Sequence, residues 1–480
     1  MQSIHVLTGL IPEPHIEPNN PIPGEAEPIT LPEAKPSDTR EVFRSILRMG
    51  IPSMVGFAAL HLYSVVDMYW VSRLGAEQVA GVAIFAAFYW VISSINMIAG
   101  AGSTAIIARR YGEGNFPSTR TAIVEAFALK IATALAGSIV GYLLTPSIVR
   151  LLGASGEVER YAIEYGRIMF LGLVFNFPVW TVFTALRGID EAKPAMWIML
   201  ASTLFNAVLN PFLIFGWGPF PALGVAGSAW ASLIGFGVTT MIGLILFFGG
   251  AFRVRLTWES VRAASRRTMW QMMKIGMPTG VSAMSFSMAR MIVTPMIAHF
   301  GPQYVAIYGA GSRVIELAII IIVGLELGLS PLIGHLLGRG DKHRAYATAE
   351  KAMALAAGIM LAIGSGMAAF AEPLTRIFFV DASYAPLGVA FFRIMAIAGP
   401  FVGANLMAEA AFSGAGDTVP IMVIGILHAW VFQVPLIWLL STGMKVGPDG
   451  VWWGFVASES ISFLAYFYWF SRKRWLHRVV

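Results

Sequence analysis

From about residue 44 to residue 471 the chain alternates long apolar runs with short polar or glycine-rich breaks. The runs fall at 44–72, 80–107, 120–145, 160–187, 194–215, 224–250, 274–299, 304–337, 345–370, 386–413, 419–442 and 449–471. A helix needs about 20 mostly apolar residues to cross a bilayer, so the pattern predicts twelve transmembrane helices. The fold class is an all-α polytopic membrane protein.

The ends of the chain break this pattern. Residues 1–38 hold Pro12, Pro14, Pro18, Pro21, Pro23, Pro28, Pro32 and Pro36 among Glu13, Glu17, Glu25, Glu27 and Glu33. Such a segment buries too little apolar area to order itself, and it reads as a disordered Pro-rich tail. It lacks the basic start and small-residue cleavage site of a signal peptide, so the first span is expected to act as an uncleaved anchor. Composition agrees with the spans: the chain is 57% hydrophobic and 12% charged, against roughly 25% charged in an ordinary soluble domain. With no cysteine, disulfides, thiolate metal ligands and thiol nucleophiles are excluded.

Basic residues set the orientation. Arg40, Arg44 and Arg48 precede the first span, and Arg109, Arg110 and Arg120 follow the second. Arg187 and Lys193 follow the fourth, Arg253 to Lys274 separate the sixth from the seventh, and Arg339, Lys342 and Arg344 follow the eighth. Arg472, Lys473, Arg474 and Arg478 close the chain in a basic tail over 472–480. All of these lie on one side, which the positive-inside rule makes cytoplasmic together with both termini. With no basic stripe among aromatics, nucleic acid is not an expected partner.

The chain also repeats itself. An offset of 226 residues aligns Gly50 with Gly276, Pro52 with Pro278, Gly75 with Gly301, Gly112 with Gly338, Arg167 with Arg393, Gly188 with Gly414 and Pro194 with Pro420, without a gap. Six spans per half is an even number, so the halves share one orientation. The expectation is two six-helix lobes, 39–250 and 271–471, in a parallel repeat, as in transporters that rock two bundles about a central site. An amphipathic connector, 251–270, is expected to lie on the inner membrane surface.

Polar residues inside the spans are few enough to weigh singly. Asp67 lies fifteen residues beyond Pro52, about 22 Å along a helix, and a carboxylate at that depth costs a few kcal/mol unless it is paired, hydrated or protonated. Pro52 removes a backbone hydrogen bond and marks a helix bend. Asn206 and Asn210 share one face of the fifth span, and Ser228 and Ser232 one face of the sixth. These oxygens with Asp67 suit Na⁺, at Asp67, Asn206 and Asn210, and they equally suit a proton held on Asp67. In the second half Val293 stands where Asp67 stands in the first. There the polar residues are Arg290, Arg313, Glu316, Glu326, Glu409 and Glu459. Arg313 and Glu316 are spaced to neutralise each other; Glu326 and Glu409 either pair with Arg290 or receive a cationic substrate, pairing being slightly favoured. Tyr63, Phe286, Arg290, Glu326 and Glu409 are the candidate substrate cavity.

No Walker A, G-x-G-x-x-G, H-E-x-x-H or G-x-S-x-G sequence is present, and the histidines have no metal-ligand spacing. Neither an enzyme nor a bound cofactor or catalytic metal is expected.

The motifs GIPSM around Pro52, VSRLGAEQVAG (71–81), IIARRYGEGN (106–115), ALRGIDEAKP (185–194), FSGAGDTVP (412–420) and GVAGSAWAS (224–232), in this order and on a 226-residue repeat, resemble the multidrug and toxic compound extrusion (MATE) family, covering about 44–470. The resemblance implies two lobes around a central cavity in a cell (inner) membrane, with export of organic cations or drugs by antiport with H⁺ or Na⁺. Asp67 with Asn206 and Asn210 resembles the amino-terminal cation site of the DinF-like branch. Asn210 replaces an Asp frequent there, and Phe286 lies near the seventh-helix acid of NorM-like members, which argues against their carboxyl-lobe coupling site. A monomer is expected. The alternative is a lipid-linked-oligosaccharide flippase of the same superfamily, for which the cavity candidates are few and mixed in sign.

Overall fold

The computed structural model describes residues 39–480, apart from the side chains of residues 87 and 90–94. The Pro-rich tail expected over 1–38 lies outside the described residues. Each apolar run has become a helix: α1 (Thr39–Ser72), α2 (Ala76–Gly112), α3 (Phe116–Leu151), α4 (Gly156–Leu171 and Leu173–Gly188), α5 (Ala192–Phe215) and α6 (Val225–Gly249) form the first half. The second half has α7 (Arg266–Ala298), α8 (Pro302–Gly338), α9 (Lys342–Ala369), α10 (Tyr384–Ala415), α11 (Val419–Gly443) and α12 (Asp449–Ser471). Among the described residues nine of these are long and apolar enough to cross a membrane, and the α4 pair makes a tenth. With α2 and α12 they are the twelve helices of two lobes.

Two spans depart from regular helix. The halves of α4 meet at 51°, at Gly172. In α11 the backbone widens into π-helical turns at Leu427–Gln433 and Leu439–Gly443, a distortion that recurs at functional sites. α1 stays helical through Pro52, which is buried; it contains no break there. The connector is shorter than expected. Only Trp258–Arg262 is helical in it, closed by reciprocal hydrogen bonds between Thr257 and Ser260, and α7 already begins at Arg266.

The lobes meet where small residues recur at the repeat offset. α1 crosses α8, with Gly50 against Leu325, Gly324 against Met54 and Gly328 against Met49 and Gly50. α2 crosses α7, with Gly102 against the backbone of Met272 and Gly276 against the carbonyl of Ile98. Since 102 + 226 = 328 and 50 + 226 = 276, the two crossings are images of each other under the pseudo-twofold. Without side chains, glycines let the backbones touch. Gly112 meets His335, and Gly338 meets Arg109, at the arginine-rich ends of the same helices.

Candidate functional site

Asp67 is buried, 7% exposed, on the face of α1 turned toward α4, α5 and α6. Its Oδ1 accepts hydrogen bonds from Ser228 Oγ at 2.5 Å and from Asn210 Nδ2 at 3.2 Å. Its Oδ2 accepts from the Tyr165 hydroxyl at 3.3 Å. Asn210 Nδ2 also reaches Asn206 Oδ1, at 3.0 Å. No basic side chain is among these partners. Of the two pairs that share single helix faces, Asn210 and Ser228 reach the carboxylate itself, and Asn206 reaches Asn210.

Local geometry fixes this convergence. α5 ends at Gly216, in the left-handed conformation at φ 74°, and the chain returns through backbone bonds from Leu223 to Leu213 and Gly224 to Ile214, each 3.0 Å. Gly227 then lies against Leu213 so closely that a Cβ would collide with its carbonyl. This tight return sets the first turn of α6, with Ser228, beside Asn210.

Four further buried polar atoms at this site lack a hydrogen-bond partner: Asn206 Nδ2, Asn210 Oδ1, Ser232 Oγ and the Tyr63 hydroxyl. The Tyr63 ring stacks on Phe236 at 5.8 Å, and its hydroxyl approaches Ser232 without good hydrogen-bond geometry. Tyr63 therefore lies beside Ser232, at the edge of the Asp67 site. Unmet oxygen acceptors around a carboxylate fit a small cation, since buried polar groups otherwise cost about 1–3 kcal/mol each. Asp67, Asn210 Oδ1, Ser232 and Tyr63 are the oxygens that would hold it.

Tyr165 is the site residue that the sequence reading missed. The repeat carried the signal: the 226 offset places Phe391 opposite Tyr165, just as it places Val293 opposite Asp67, Leu436 opposite Asn210 and Gly454 opposite Ser228. In the second lobe that region is apolar core, where Phe391 packs edge-on against Trp452 at 4.9 Å and Val293 is buried.

The remaining candidates divide. Arg290 on α7 pairs with Glu316 at 3.2 Å, and Glu316 also meets Arg313 at 3.7 Å. The expected pairing of Arg290 with Glu326 or Glu409 is thus incorrect, because the nearer Glu316 takes the guanidinium. Glu326 on α8 is near enough to Glu409 on α10 for the two carboxylates to repel each other, and Glu409 Oε1 accepts from the Tyr466 hydroxyl at 2.6 Å. Phe286 is 47% exposed and stacks on His428 at 5.9 Å. Among the described residues no group of three His, Asp or Glu could hold a metal ion.

The sequence profile of MatE matches residues 52–212 and 278–439, two blocks whose starts are 226 residues apart. The chain belongs to the MatE family. It is therefore a multi-pass membrane transporter and not an enzyme. A probable multidrug resistance protein NorM of Thermotoga maritima is 23% identical over 445 residues, 92% of this chain and 94% of that one. An FAD transporter of Shewanella oneidensis is 27% identical over 344 residues, 70% and 75% of the two chains. Among solved structures, a MATE described as in the bent conformation aligns with TM-score 0.84 at 25% identity, over 91% of this chain and 96% of that one. This MatE chain thus shares fold and length with transporters.

Proposed function

We propose that this MatE protein is a secondary active multidrug efflux transporter that exports organic cations or drugs by antiport with H⁺ or Na⁺. The observation that carries the reading is Asp67, a buried carboxylate held only by neutral donors from three other helices, beside four polar atoms without partners. A charge so placed is stabilised by taking up a cation and destabilised by losing one, which gives an ion a differential hold on two conformations. The Asp67, Asn206 and Asn210 set supports the DinF-like reading. Relatives named as multidrug resistance proteins, NorM and the export protein MepA of Staphylococcus aureus, support the substrate class.

Close contacts between lobes lie toward the arginine-rich face, among them Gly50, Gly102, Gly276 and Gly328 at the crossings and the His335 Nε2 bond to the Gly188 carbonyl at 2.7 Å. Toward the other face, Leu62, Val65 and Tyr69 on α1 and Met284, Met288 and Met291 on α7 are exposed. With the arginine-rich face taken as cytoplasmic, both ends of the described chain lie on the inner side of the membrane. One chain supplies both lobes, so the working unit is taken as a monomer.

Efflux of a cationic dye from proteoliposomes under a pH gradient alone, and a Na⁺ gradient alone, tests the reading. Wild type is expected to respond to one gradient, and Asp67→Asn to lose the response at least tenfold. Normal transport by Asp67→Asn sinks it; failure to move any soluble cation while translocating a labelled glycolipid favours the flippase.

A further inference from the structure

The connector and the first turns of α7 carry more positive charge than the protein neutralises. Residues 251–274 contain Arg253, Arg255, Arg262, Arg266, Arg267 and Lys274 against one acid, Glu259. Arg253 is paired with Asp190 and Glu191. Among the described residues no carboxylate pairs with the other five; Arg255 donates to the Phe248 carbonyl at 3.0 Å, and Lys274 stands over the Trp270 ring at 5.6 Å. Glu125 of α3, which touches this segment, is buried and already taken: it accepts the Ser265 N–H at 2.8 Å and lies 3.5 Å from Arg110. Arg262, Arg266 and Arg267 are exposed.

This unmatched charge sits where a lipid-facing surface ends. Trp270, Met277, Met284, Met288 and Met291 are exposed on α7, and their spacings of seven, seven, four and three place them on one helix face. From Trp270 to Met291 is 21 residues, about 32 Å along the helix, the thickness of a hydrocarbon core. The stripe runs past the level at which Gly276 and Gly280 touch Ile98 of the other lobe, so it is the side of α7 turned to lipid and not a cleft between lobes. Arg266 and Arg267 precede Trp270 by four and three residues and Lys274 follows it by four, all neighbouring positions on that face. On the other flank Trp258, 73% exposed, packs its ring on Phe248 at 5.4 Å.

The repeat shows that this is not the ordinary start of a span. The 226 offset places Glu41 opposite Arg267 and Arg44 opposite Trp270. At α1 the acid is used inside the protein, in the 2.6 Å pair of Glu41 with Arg344; at α7 its place holds an unpaired guanidinium beside an exposed ring.

We propose that Arg262, Arg266 and Arg267, between Trp258 and Trp270, form a docking surface for the headgroup of an anionic phospholipid in the leaflet on the arginine-rich side. Guanidinium groups bind phosphate oxygens in a bidentate fork, basic clusters at a membrane surface attract anionic lipid, and tryptophan rings settle at headgroup level. A zwitterionic lipid brings its own cation against the arginines and is the poorer ligand. A soluble acidic partner would leave both tryptophans in water, whereas a lipid covers rings and guanidinium groups together. Because Ser265, the residue before α7, is held by Glu125 of the first lobe, the bound lipid sits on the joint between the lobes.

The test uses the full-length protein in phosphatidylcholine nanodiscs, with a bimane fluorophore on Gln271→Cys, exposed next to Trp270 in a chain with no other cysteine. Phosphatidylglycerol or phosphatidylcholine carrying a nitroxide near the top of one acyl chain is added at the same low fraction. Phosphatidylglycerol is expected to quench severalfold more strongly. Replacing the three arginines together (Arg262→Gln, Arg266→Gln, Arg267→Gln) is expected to bring the two lipids to equal quenching; where that variant does not assemble, Arg267→Glu, the acid of the equivalent α1 position, is expected to reduce the preference at least twofold. Millimolar inorganic phosphate is expected to leave the preference intact. The proposal is overturned if wild type is quenched equally by both lipids, if the arginine variants keep the full preference, or if inorganic phosphate abolishes it, which would assign a site for soluble anions. Binding is read without transport, so the outcome is independent of the coupling ion at Asp67.

Discussion

At the residue scale the two lobes spend their polar side chains differently. The first collects one carboxylate and neutral donors; the second places Glu459 beside His428 and Asn405, and Gln433 beside His428. Tyr165 illustrates how small the difference is, since a single hydroxyl separates it from its repeat partner Phe391. Tyr165→Phe is expected to assemble normally, because a phenylalanine already fills the equivalent place in the other lobe. It removes one 3.3 Å hydrogen bond to Asp67, worth about 1 kcal/mol, so the ion concentration for half-maximal efflux should rise roughly fivefold. An unchanged value would mean that the tyrosine only packs.

At the element scale, the crossings of α1 with α8 and of α2 with α7 decide whether the arginine-rich face can close. A Cβ at Gly276 would run into the Ile98 carbonyl, which belongs to a helix backbone and cannot turn aside. Gly276→Ala is therefore expected to hold the lobes apart on that face. The chain contains no cysteine, so a cysteine introduced at the fully buried Ser103, beside Met272, is a unique reporter. A membrane-impermeant maleimide applied to the arginine-rich face should label Ser103→Cys slowly alone, and at least severalfold faster with Gly276→Ala; equal rates would refute the steric account. The π-helical turns of α11 belong to this scale too, since hydropathy sees an apolar run and is blind to a widened turn.

At the scale of the whole molecule, residues after α12 bridge the lobes. Trp475 is fully buried against Phe470 and Phe412, and Lys342 Nζ lies 3.0 Å from His477 Nδ1. Arg109 on α2 donates to the Arg478 carbonyl, Arg478 reaches Asp417 at 4.0 Å, and Val480 packs against the first lobe's core. Arg344 adds an ion pair from α9 to Glu41 on α1 at 2.6 Å. Deleting residues 478–480 is expected to leave folding intact while raising Ser103→Cys labelling severalfold. No change would show that the segment follows the lobes without restraining them.

The sequence by itself determined the twelve spans, the side on which the basic residues gather, the parallel repeat and the first lobe's ion-site candidates. Those properties follow from the length of apolar runs, from periodicity and from the cost of placing a charge in hydrocarbon, all of which are local or additive along the chain. Asp67, Asn206, Asn210, Ser228 and Ser232 stood out because each pair shares a helix face and a lone carboxylate demands neighbours, and Asn210 and Ser228 prove to be neighbours of Asp67. Only the tertiary structure decided which neighbours were used. Arg290 chose Glu316 over Glu326 and Glu409, Tyr63 came to lie beside Ser232, and Tyr165 arrived from a helix 98 residues away in sequence. Hydrogen bonds and ion pairs fall off within a few ångströms, so distances between helices, which no one-dimensional pattern contains, settle them.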